Sequence, residues 1–140
     1  MATFKTHKAG LFNTSVYQAS AIPYITSSIT VPKSGGVGPL KIPFPRITKF
    51  ITVRNTHPTG GISAIRVGFS ELGVIASGTA RDNYFKLESG ESYTGEWRVK
   101  DLYLMSDTAA TYTATIIAGL TPISTGSLNF DNWSGSSGVG

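Results

Sequence analysis

The chain has 140 residues, the length of one domain, and a domain of this size buries about 70% of the surface that its unfolded chain exposes. It contains no cysteine, which excludes disulfides, thiolate nucleophiles and cysteine-ligated metals. Charged residues make up only 14% of the chain, whereas an average domain has about 25%. Low charge with abundant serine and threonine is typical of an all-β protein covered by neighbouring subunits, or of an ordinary secreted β domain.

Charge is unevenly distributed along the chain. Eight basic residues and no acid precede Glu71, whereas four basic residues and all eight acids follow from Glu71 onward, so the two parts carry +8 and −4. Such asymmetry has three interpretations: contact with nucleic acid or membrane, mixing of both parts in one folded sandwich, or pairing of a basic face with an acidic face of the next subunit. Because the basic residues are dispersed, we expect no direct contact with nucleic acid.

The first residues lack the features of a targeting segment. Residues 1–10 are polar and basic, without the apolar region of a secretory signal, and no stretch has the about 18 apolar residues of a membrane-spanning helix. We therefore expect a soluble protein that is synthesised in the cytoplasm, with residues 1–10 as a flexible N-terminal arm.

The first part of the chain predicts two strands and a long loop. Residues 11–18 and 21–31 are the strands, and Pro23 places the second at a sheet edge. In that strand the alternation puts Ile25 on the same face as Val31. The loop that follows has four prolines and three glycines in fifteen residues, and its later part alternates apolar and polar residues as an edge segment would.

The clearest pattern in the chain is a pair of strands at residues 47–54 and 64–69. Both alternate β-branched or aromatic residues with others, and they are separated by residues 55–61, which contain a proline and two adjacent glycines. Seven residues are long for a tight hairpin, so we expect a longer connection between the strands.

The later part of the chain predicts four more strands and no helix, since no window shows an apolar stripe with a period of 3.6 residues. Residues 71–82 form a connection, and Pro122 is expected to end the last strand. In that strand Thr111, Thr113 and Thr115 occupy every second position, which a helix would not arrange on one face. The predicted strands are residues 83–88, 93–98, 99–105 and 111–120.

These elements predict the fold class. About eight short strands at this spacing indicate a sandwich or barrel, and eight antiparallel strands in two sheets form a jelly roll. An immunoglobulin-like sandwich is the alternative, but Trp97 lacks the cysteine pair of true immunoglobulin domains. We predict an all-β, eight-stranded antiparallel single jelly-roll sandwich at residues 11–121, with the N-terminal arm before it. The Gly/Ser-rich residues 122–140 are predicted as a flexible C-terminal tail that docks on a neighbour or folds back on its own domain.

The sequence lacks the residue sets of an enzyme. Ser70 is not in a Gly-x-Ser-x-Gly motif, because the second glycine comes too late. His7 and His57 have no partner histidine at metal-ligand spacing. Glu96 and Asp101, expected on adjacent strands, resemble the carboxylate pair of a glycosidase, although such pairs usually belong to a solvated face. We predict no catalytic residue, no cofactor, no metal and no enzymatic activity, with Ser70 in a structural role.

Acidic residues near position 88 are the remaining candidates for a metal site. Asp82, Asn83 and Glu88 are oxygen ligands suited to Ca²⁺, but no EF-hand spacing supports such a site. Glu88 and Glu91 straddle a predicted turn, which is typical of a solvated surface.

Several stretches resemble a known family. Residues 66–74 (RVGFSELGV), residues 83–87 (NYFKL) followed by Ser-Gly-Glu, and residues 116–121 (IIAGLT) are similar to the small penton (vertex) capsid protein of large icosahedral double-stranded DNA viruses. The similarity covers about residues 47–121, and its motifs are structural rather than chemical.

The resemblance implies a single jelly roll of which five copies close the fivefold vertex of the capsid. The partners would be the other copies in the homopentamer, the surrounding major capsid protein, minor capsid proteins and the inner membrane side of the capsid. The location would be the virion. Two other functions fit the sequence: a carbohydrate- or receptor-binding β-sandwich, and another minor capsid or spike-base protein. A sugar-binding surface would use Tyr84, Tyr93, Trp97 and Tyr103, whose predicted strand faces differ.

Overall fold

The computed structural model describes residues 21–58, 63–75 and 82–127. These ranges form eight β-strands, one short α-helix and one turn of 3-10 helix. The strands are β1 (Ile22–Val31), β2 (Leu40–Pro43), β3 (Arg46–Asn55), β4 (Ile65–Gly68), β5 (Tyr84–Leu87), β6 (Ser92–Gly95), β7 (Asp101–Ser106) and β8 (Tyr112–Ser124). The α-helix, α1 (Glu71–Ile75), lies between β4 and β5, and the 3-10 turn (Thr125–Ser127) follows β8.

The strands form two four-stranded sheets. Sheet one has the order β1-β8-β3-β6 and sheet two the order β2-β7-β4-β5, and all neighbouring strands are antiparallel. The prediction of an all-β, eight-stranded antiparallel sandwich is confirmed. In these orders β1 pairs with β8, β2 with β7, β3 with β6 and β4 with β5.

Each edge of the sandwich is formed by one edge strand from each sheet. We call the edge with β1 and β2 the leading edge, and the edge with β5 and β6 the trailing edge. At the leading edge, Tyr24 of β1 contacts Phe44 just after β2, with ring centroids 5.3 Å apart. At the trailing edge, Phe85 of β5 contacts Tyr93 of β6 at 4.5 Å. Aromatic rings therefore close the core at both edges.

One apolar core lies between the sheets. The alternation in β3 places Ile51 and Val53 in it, and β4 contributes Ile65 and Val67 from the opposite sheet. Burial of each large aliphatic side chain contributes about 1.5–3 kcal/mol, so this shared core holds the sheets together. As the sequence predicts for β8, its alternating residues are all buried: Tyr112, Ala114, Ile116, Ala118 and Leu120.

The two ends of the sandwich carry different connections. The links β1–β2, β3–β4, β5–β6 and β7–β8 share the upper end, and the other three links share the lower end. Asn55 is fully buried at the upper end, and its Nδ2 donates to the carbonyls of Ser63, at 2.6 Å, and Leu87, at 2.9 Å. Its backbone N–H donates to the Glu91 carbonyl at 2.9 Å. One asparagine thus joins the β3–β4 link, β5 and the β5–β6 turn.

The set of strands differs from the predicted set in three places. Residues 11–18, predicted as the first strand, lie outside the described residues. Leu40–Pro43, predicted as an edge segment of the long loop, is strand β2 and pairs with β7. The strand predicted at residues 93–98 ends at Gly95, before the chain crosses to sheet two.

Two predictions about chain breaks and helices are wrong. Pro122 does not end the last strand, because β8 continues to Ser124. The pairing of β1 with β8 ends at Leu120, so a residue without an N–H is tolerated beyond that point. A helix also exists: α1 has only five residues, too few to show an apolar stripe. Ser70 caps it by accepting a hydrogen bond from the Gly73 N–H at 3.0 Å.

The predicted outward and inward faces of β1 are also wrong in part. The pairing of β1 with β8 shifts between Thr26 and Ile29, and Ser28 there has a φ of 54°. This is a β-bulge, and its extra residue reverses the faces on either side of it. Ile25 therefore points outward and is 65% exposed, whereas Val31 lies in the core.

Candidate functional site

An exposed tryptophan marks the lower end of the trailing edge. Trp97 follows β6 and is 47% exposed, and its Nε1 donates to the Tyr93 hydroxyl at 2.8 Å. The indole lies against Gly95, where any side chain would collide with it and with that hydroxyl. Glycine at this position therefore lets the ring lie flat on the strand. We call Trp97, Tyr93 and Gly95 the tryptophan corner.

Neighbouring segments hold the tryptophan corner in place. The buried Thr48 hydroxyl lies 2.6 Å from the Trp97 carbonyl and accepts the Val99 N–H at 3.1 Å. Phe69, from the link after β4, contacts the Trp97 ring with centroids 6.1 Å apart. The indole is thus an exposed apolar surface on a fixed backbone, which suits it to bind a partner without losing much conformational entropy.

Acidic residues line the rest of the trailing edge. Residues 88–96 contain Glu88, Glu91 and Glu96 and no basic residue. All three glutamates are exposed, and the Glu88 N–H donates to Glu91 Oε2 at 2.7 Å across the β5–β6 turn. Glu88 and Glu91 lie at the upper end of the trailing edge, and Glu96 lies beside Trp97 at the lower end. The basic residues near this edge are Arg98, exposed after Trp97, and Lys86 of β5, which pairs with Asp107, so the edge is acidic mainly at its upper end.

The leading edge has exposed apolar residues at its lower end. Ile22 is 52% exposed and Ile25 is 65% exposed, both on edge strand β1. Ile117 of β8 is directly opposite Ile25 and is 39% exposed. Directly opposite residues share a sheet face, so Ile25 and Ile117 form a continuous outward surface. Ile22 is opposite the core residue Leu120 and therefore lies on the other face of β1, so exposed isoleucines are present on both faces of this edge strand. We call Ile22, Ile25 and Ile117 the isoleucine patch.

The charge of the leading edge is positive. Residues 21–43, which comprise β1, the β1–β2 loop and β2, contain Lys33 and Lys41 and no acidic residue. Lys33 is exposed in the upper loop, whereas Lys41 makes an ion pair with Asp101 at 3.7 Å. The two edges of the sandwich are thus opposite in charge, and each has an apolar surface at the lower end.

The outward face of sheet two is held together by one arginine. Arg66 Nε donates to Asp107 Oδ1 at 2.6 Å, and its Nη1 donates to the carbonyls of Val74 and Ile75 at 3.1 Å. Lys86 Nζ lies 2.8 Å from the other oxygen of Asp107. Burial by itself would raise the pKa of Asp107, but hydrogen bonds from Lys86 and Arg66 and their positive charges hold that pKa below its usual value.

The carboxylates considered for catalysis or calcium are not brought together. Glu96 follows β6 of sheet one, whereas Asp101 begins β7 of sheet two, so the prediction that they lie on adjacent strands is wrong. Asp82 and Glu88 lie at opposite ends of β5, and at about 3.3 Å per residue a strand of four residues keeps them apart. Within the described ranges, no group of three His, Asp or Glu side chains is placed to hold a metal ion.

The histidine and tyrosine candidates have structural contacts. The His57 ring packs on Tyr112 with centroids 4.6 Å apart, and His7 lies outside the described residues. Tyr84 lies under the Arg66 guanidinium on the outward face of sheet two, and its row on that face also holds Tyr103. Of the four aromatic residues proposed for sugar binding, Tyr93 and Trp97 are in contact.

Comparison of the chain with known protein families and with curated proteins finds no match. Within the described residues, no helix has the length and apolar character needed to cross a membrane.

Sequence reasoning missed most of the residues that form these surfaces. Phe69 and Phe85 join the trailing edge from distant segments, and no local pattern indicates this contact. Ile117 is exposed although it lies in the most regular strand. The signal in the sequence is the acid-free stretch before Glu71, for which pairing of a basic face with an acidic one is one of three interpretations.

Proposed function

We propose that this protein is a structural capsid protein that forms, as a homopentamer, the fivefold vertex (penton) of an icosahedral large DNA virus. The proposal includes the assignment of the sandwich as a single jelly roll. The pairing of the first strand with the eighth, second with seventh, third with sixth and fourth with fifth supports that assignment. The resemblance of residues 47–121 to penton proteins supports the function.

The observation that carries the proposal is the difference between the two edges. A ring of identical subunits needs two different, complementary surfaces on each copy, because each copy contacts one neighbour with each. The leading edge supplies Lys33 and the isoleucine patch, and the trailing edge supplies its glutamates and the tryptophan corner. A self-complementary dimer would need one surface that matches itself, which neither edge offers.

The proposal also implies the partners of the protein and its location. The pentamer would lie in the virion, at the capsid vertex, after synthesis in the host cytoplasm. It would contact the major capsid protein and minor capsid proteins, with residues 1–10 and the C-terminal tail as anchors to neighbours or to the inner membrane side. Assembly needs no catalytic residue, no cofactor and no direct contact with nucleic acid.

Native mass spectrometry of the purified full chain, together with electron microscopy of particles, tests the proposal. We expect a species of five chains and ring-shaped particles with fivefold symmetry, and density for this chain at the vertices. A monodisperse monomer at high concentration, with no density at the vertices, would overturn the proposal. Density at a different capsid position would instead assign the chain as another minor capsid or spike-base protein.

A carbohydrate- or receptor-binding module is the second candidate, and one observation favours it. Trp97 presents about half of its surface beside the Tyr93 hydroxyl, a combination that can stack on a sugar and hydrogen-bond to it. Binding on a glycan array that disappears in Trp97→Ala, in a chain that stays monomeric, would favour this function over the capsid function.

A further inference from the structure

We infer that the interface between copies is formed by the tryptophan corner and glutamates of one trailing edge packing on the isoleucine patch and Lys33 of the next leading edge. This inference rests on the proposed ring and assigns its contact surfaces. The occupant of each edge is a second copy of this chain, with the same end of the sandwich pointing the same way.

Charge complementarity favours a second copy as the occupant. Residues 21–43 carry two basic residues and no acid, whereas residues 88–96 carry three acids and no base. Copies placed leading edge to trailing edge bring opposite charges together, and copies placed with like edges together bring like charges together. The arrangement of charge therefore selects the order of subunits that a closed ring requires.

The vertical positions of the groups match as well. Strand β1 runs from the lower end, where Ile22 and Ile25 lie, to the upper end, where Lys33 follows it. Strand β6 is antiparallel to β3, which is parallel to β1, so it runs downward from the Glu91 turn to Trp97. Both edges thus place an apolar surface at the lower end and charge at the upper end, although Glu96 and Arg98 flank Trp97 at the lower end.

This match has a consequence for the geometry of the ring. Rotation about an axis leaves the height of every atom along that axis unchanged. If the strands run along the ring axis, each residue meets a residue of equal height on the neighbour. Lys33 then meets the turn that holds Glu88 and Glu91. Ile22 meets Trp97, because Ile22 is opposite Leu120 and Leu120 is opposite Thr48, whose hydroxyl donates to the Trp97 carbonyl. Ile25 is level with Thr94 of β6, above Trp97.

The edge strand β1 favours contact through side chains over strand addition. Pro23 removes one N–H from the free edge of β1. The bulge at Ser28 interrupts the regular spacing of the backbone N–H and C=O groups along the strand. Both features hinder a neighbouring strand from extending sheet one. The exposed side chains of Ile22 and Ile25 remain available for an apolar contact.

Because the chain has no natural cysteine, introduced cysteines are its only thiols, and cross-linking tests the interface directly. Two double variants, Ile22→Cys/Trp97→Cys and Lys33→Cys/Glu88→Cys, are treated with a short bismaleimide and separated on a denaturing gel. We expect both to give a ladder of cross-linked chains up to the full ring. The second pair lies in exposed loops, so it tests the interface even where loss of Trp97 impairs folding.

The matched control is Ile22→Cys/Leu72→Cys. Leu72 is 49% exposed, close to the value for Trp97, but it lies on α1, which packs against β4 and β7 of sheet two. We expect no ladder from this pair or from any single cysteine variant, and a ladder of equal extent from the control pair would overturn the assignment.

A charge exchange gives an independent readout. We expect Lys33→Glu to lower the fraction of ring in native mass spectra at least several-fold, and Lys33→Glu/Glu88→Lys to restore it. Rings that form in every variant while neither test pair cross-links would overturn this interface and leave the proposed function standing. A chain that stays monomeric in all variants and in the wild type would overturn both.

Discussion

The outward faces of the two sheets differ in how completely their own subunit covers them. On sheet two, Arg66 binds Asp107 and the carbonyl end of α1, and the helix packs over Gly68 through the buried Val74. On sheet one, threonines hydrogen-bond to each other across strands, as Thr52 and Thr94 do at 2.9 Å, and the isoleucine patch stays exposed. The same core thus supports one outward face that is covered by contacts within the subunit and one on which apolar side chains stay exposed.

This difference separates stability from assembly. Contacts on the outward face of sheet two stabilise the single subunit, because their donors and acceptors are satisfied within it. The exposed apolar area on sheet one stabilises nothing until a partner covers it. Substitutions on sheet two are therefore expected to lower the free energy of unfolding, and substitutions on the isoleucine patch are expected to weaken association.

The largest expected effect comes from Gly68→Ala on the outward face of sheet two. An added Cβ would lie 2.6 Å from Val74 Cγ1 and 3.0 Å from the Asn83 carbonyl oxygen. Neither obstacle is the flexible end of a long side chain, so α1 must move, and we expect a loss of about 3 kcal/mol in the free energy of unfolding. Urea denaturation followed by fluorescence measures it, and a loss below about 1 kcal/mol would show that α1 is only loosely packed on this face.

Asp107→Asn is expected to have the next largest effect, with a distinct pH dependence. Removal of the anion takes charged hydrogen bonds from Arg66 and Lys86, at a cost of about 2 kcal/mol near pH 7. Because the folded pKa of Asp107 is lowered, its contribution is present above the unfolded pKa of about 3.9 and is lost as pH falls through the folded value.

Denaturant midpoints of wild type and Asp107→Asn at pH 7 and pH 3 test this dependence. We expect the two proteins to differ clearly at pH 7 and the difference to shrink at pH 3, which is below the unfolded pKa of Asp107, because the contribution of the carboxylate is lost as pH falls from that value through the lower folded pKa. A difference that stays the same at both values would mean that Asp107 stabilises by packing and not by its charge. Lys41→Ala, which removes a longer and more exposed ion pair, is the control with a smaller effect.

Gly119→Ala is the counterpart of Gly68→Ala on the outward face of sheet one. The added Cβ would collide with the Phe50 ring and lie 2.6 Å from the Ala21 Cβ. Phe50 is only half-buried and its ring can turn toward solvent, so we expect a loss of about 1 kcal/mol. Equal losses for Gly68→Ala and Gly119→Ala in the same denaturation assay would contradict the difference between the two faces.

The elements that the sequence predicted correctly are strands in which inward and outward residues alternate without interruption. The inward face of β8, from Tyr112 to Leu120, was predicted because each position obeys the period of two. The outward position of Ile25 was not predicted. The single extra residue of the bulge at Ser28 shifts the alternation of faces by one position, and the composition of the strand does not reveal it. The short α1 was missed for a related reason, since one turn of helix is too brief for periodicity to show.

The candidate surfaces were harder to predict than the fold. The charge asymmetry leaves three interpretations open, and only the strand order shows that residues 21–43 and residues 88–96 lie on opposite edges. The exposure of Trp97 depends on Gly95 beneath it and on Thr48 from another strand, which are contacts between residues distant in sequence. Such long-range contacts are set by packing and not by local pattern.

The smallest effect on stability, and the most informative for assembly, is expected from Ile25→Thr. The side chain is 65% exposed and threonine keeps the β-branched shape that β1 favours, so the free energy of unfolding should change by no more than about 0.5 kcal/mol. On the proposed interface the same change removes apolar area that the trailing edge of the next copy covers, and sedimentation velocity should show a lower fraction of ring. The matched control is Val37→Thr, a fully exposed residue in the upper loop outside the isoleucine patch. Wild-type association in Ile25→Thr, or equal weakening in both variants, would mean that the uncovered face of sheet one is not where copies meet.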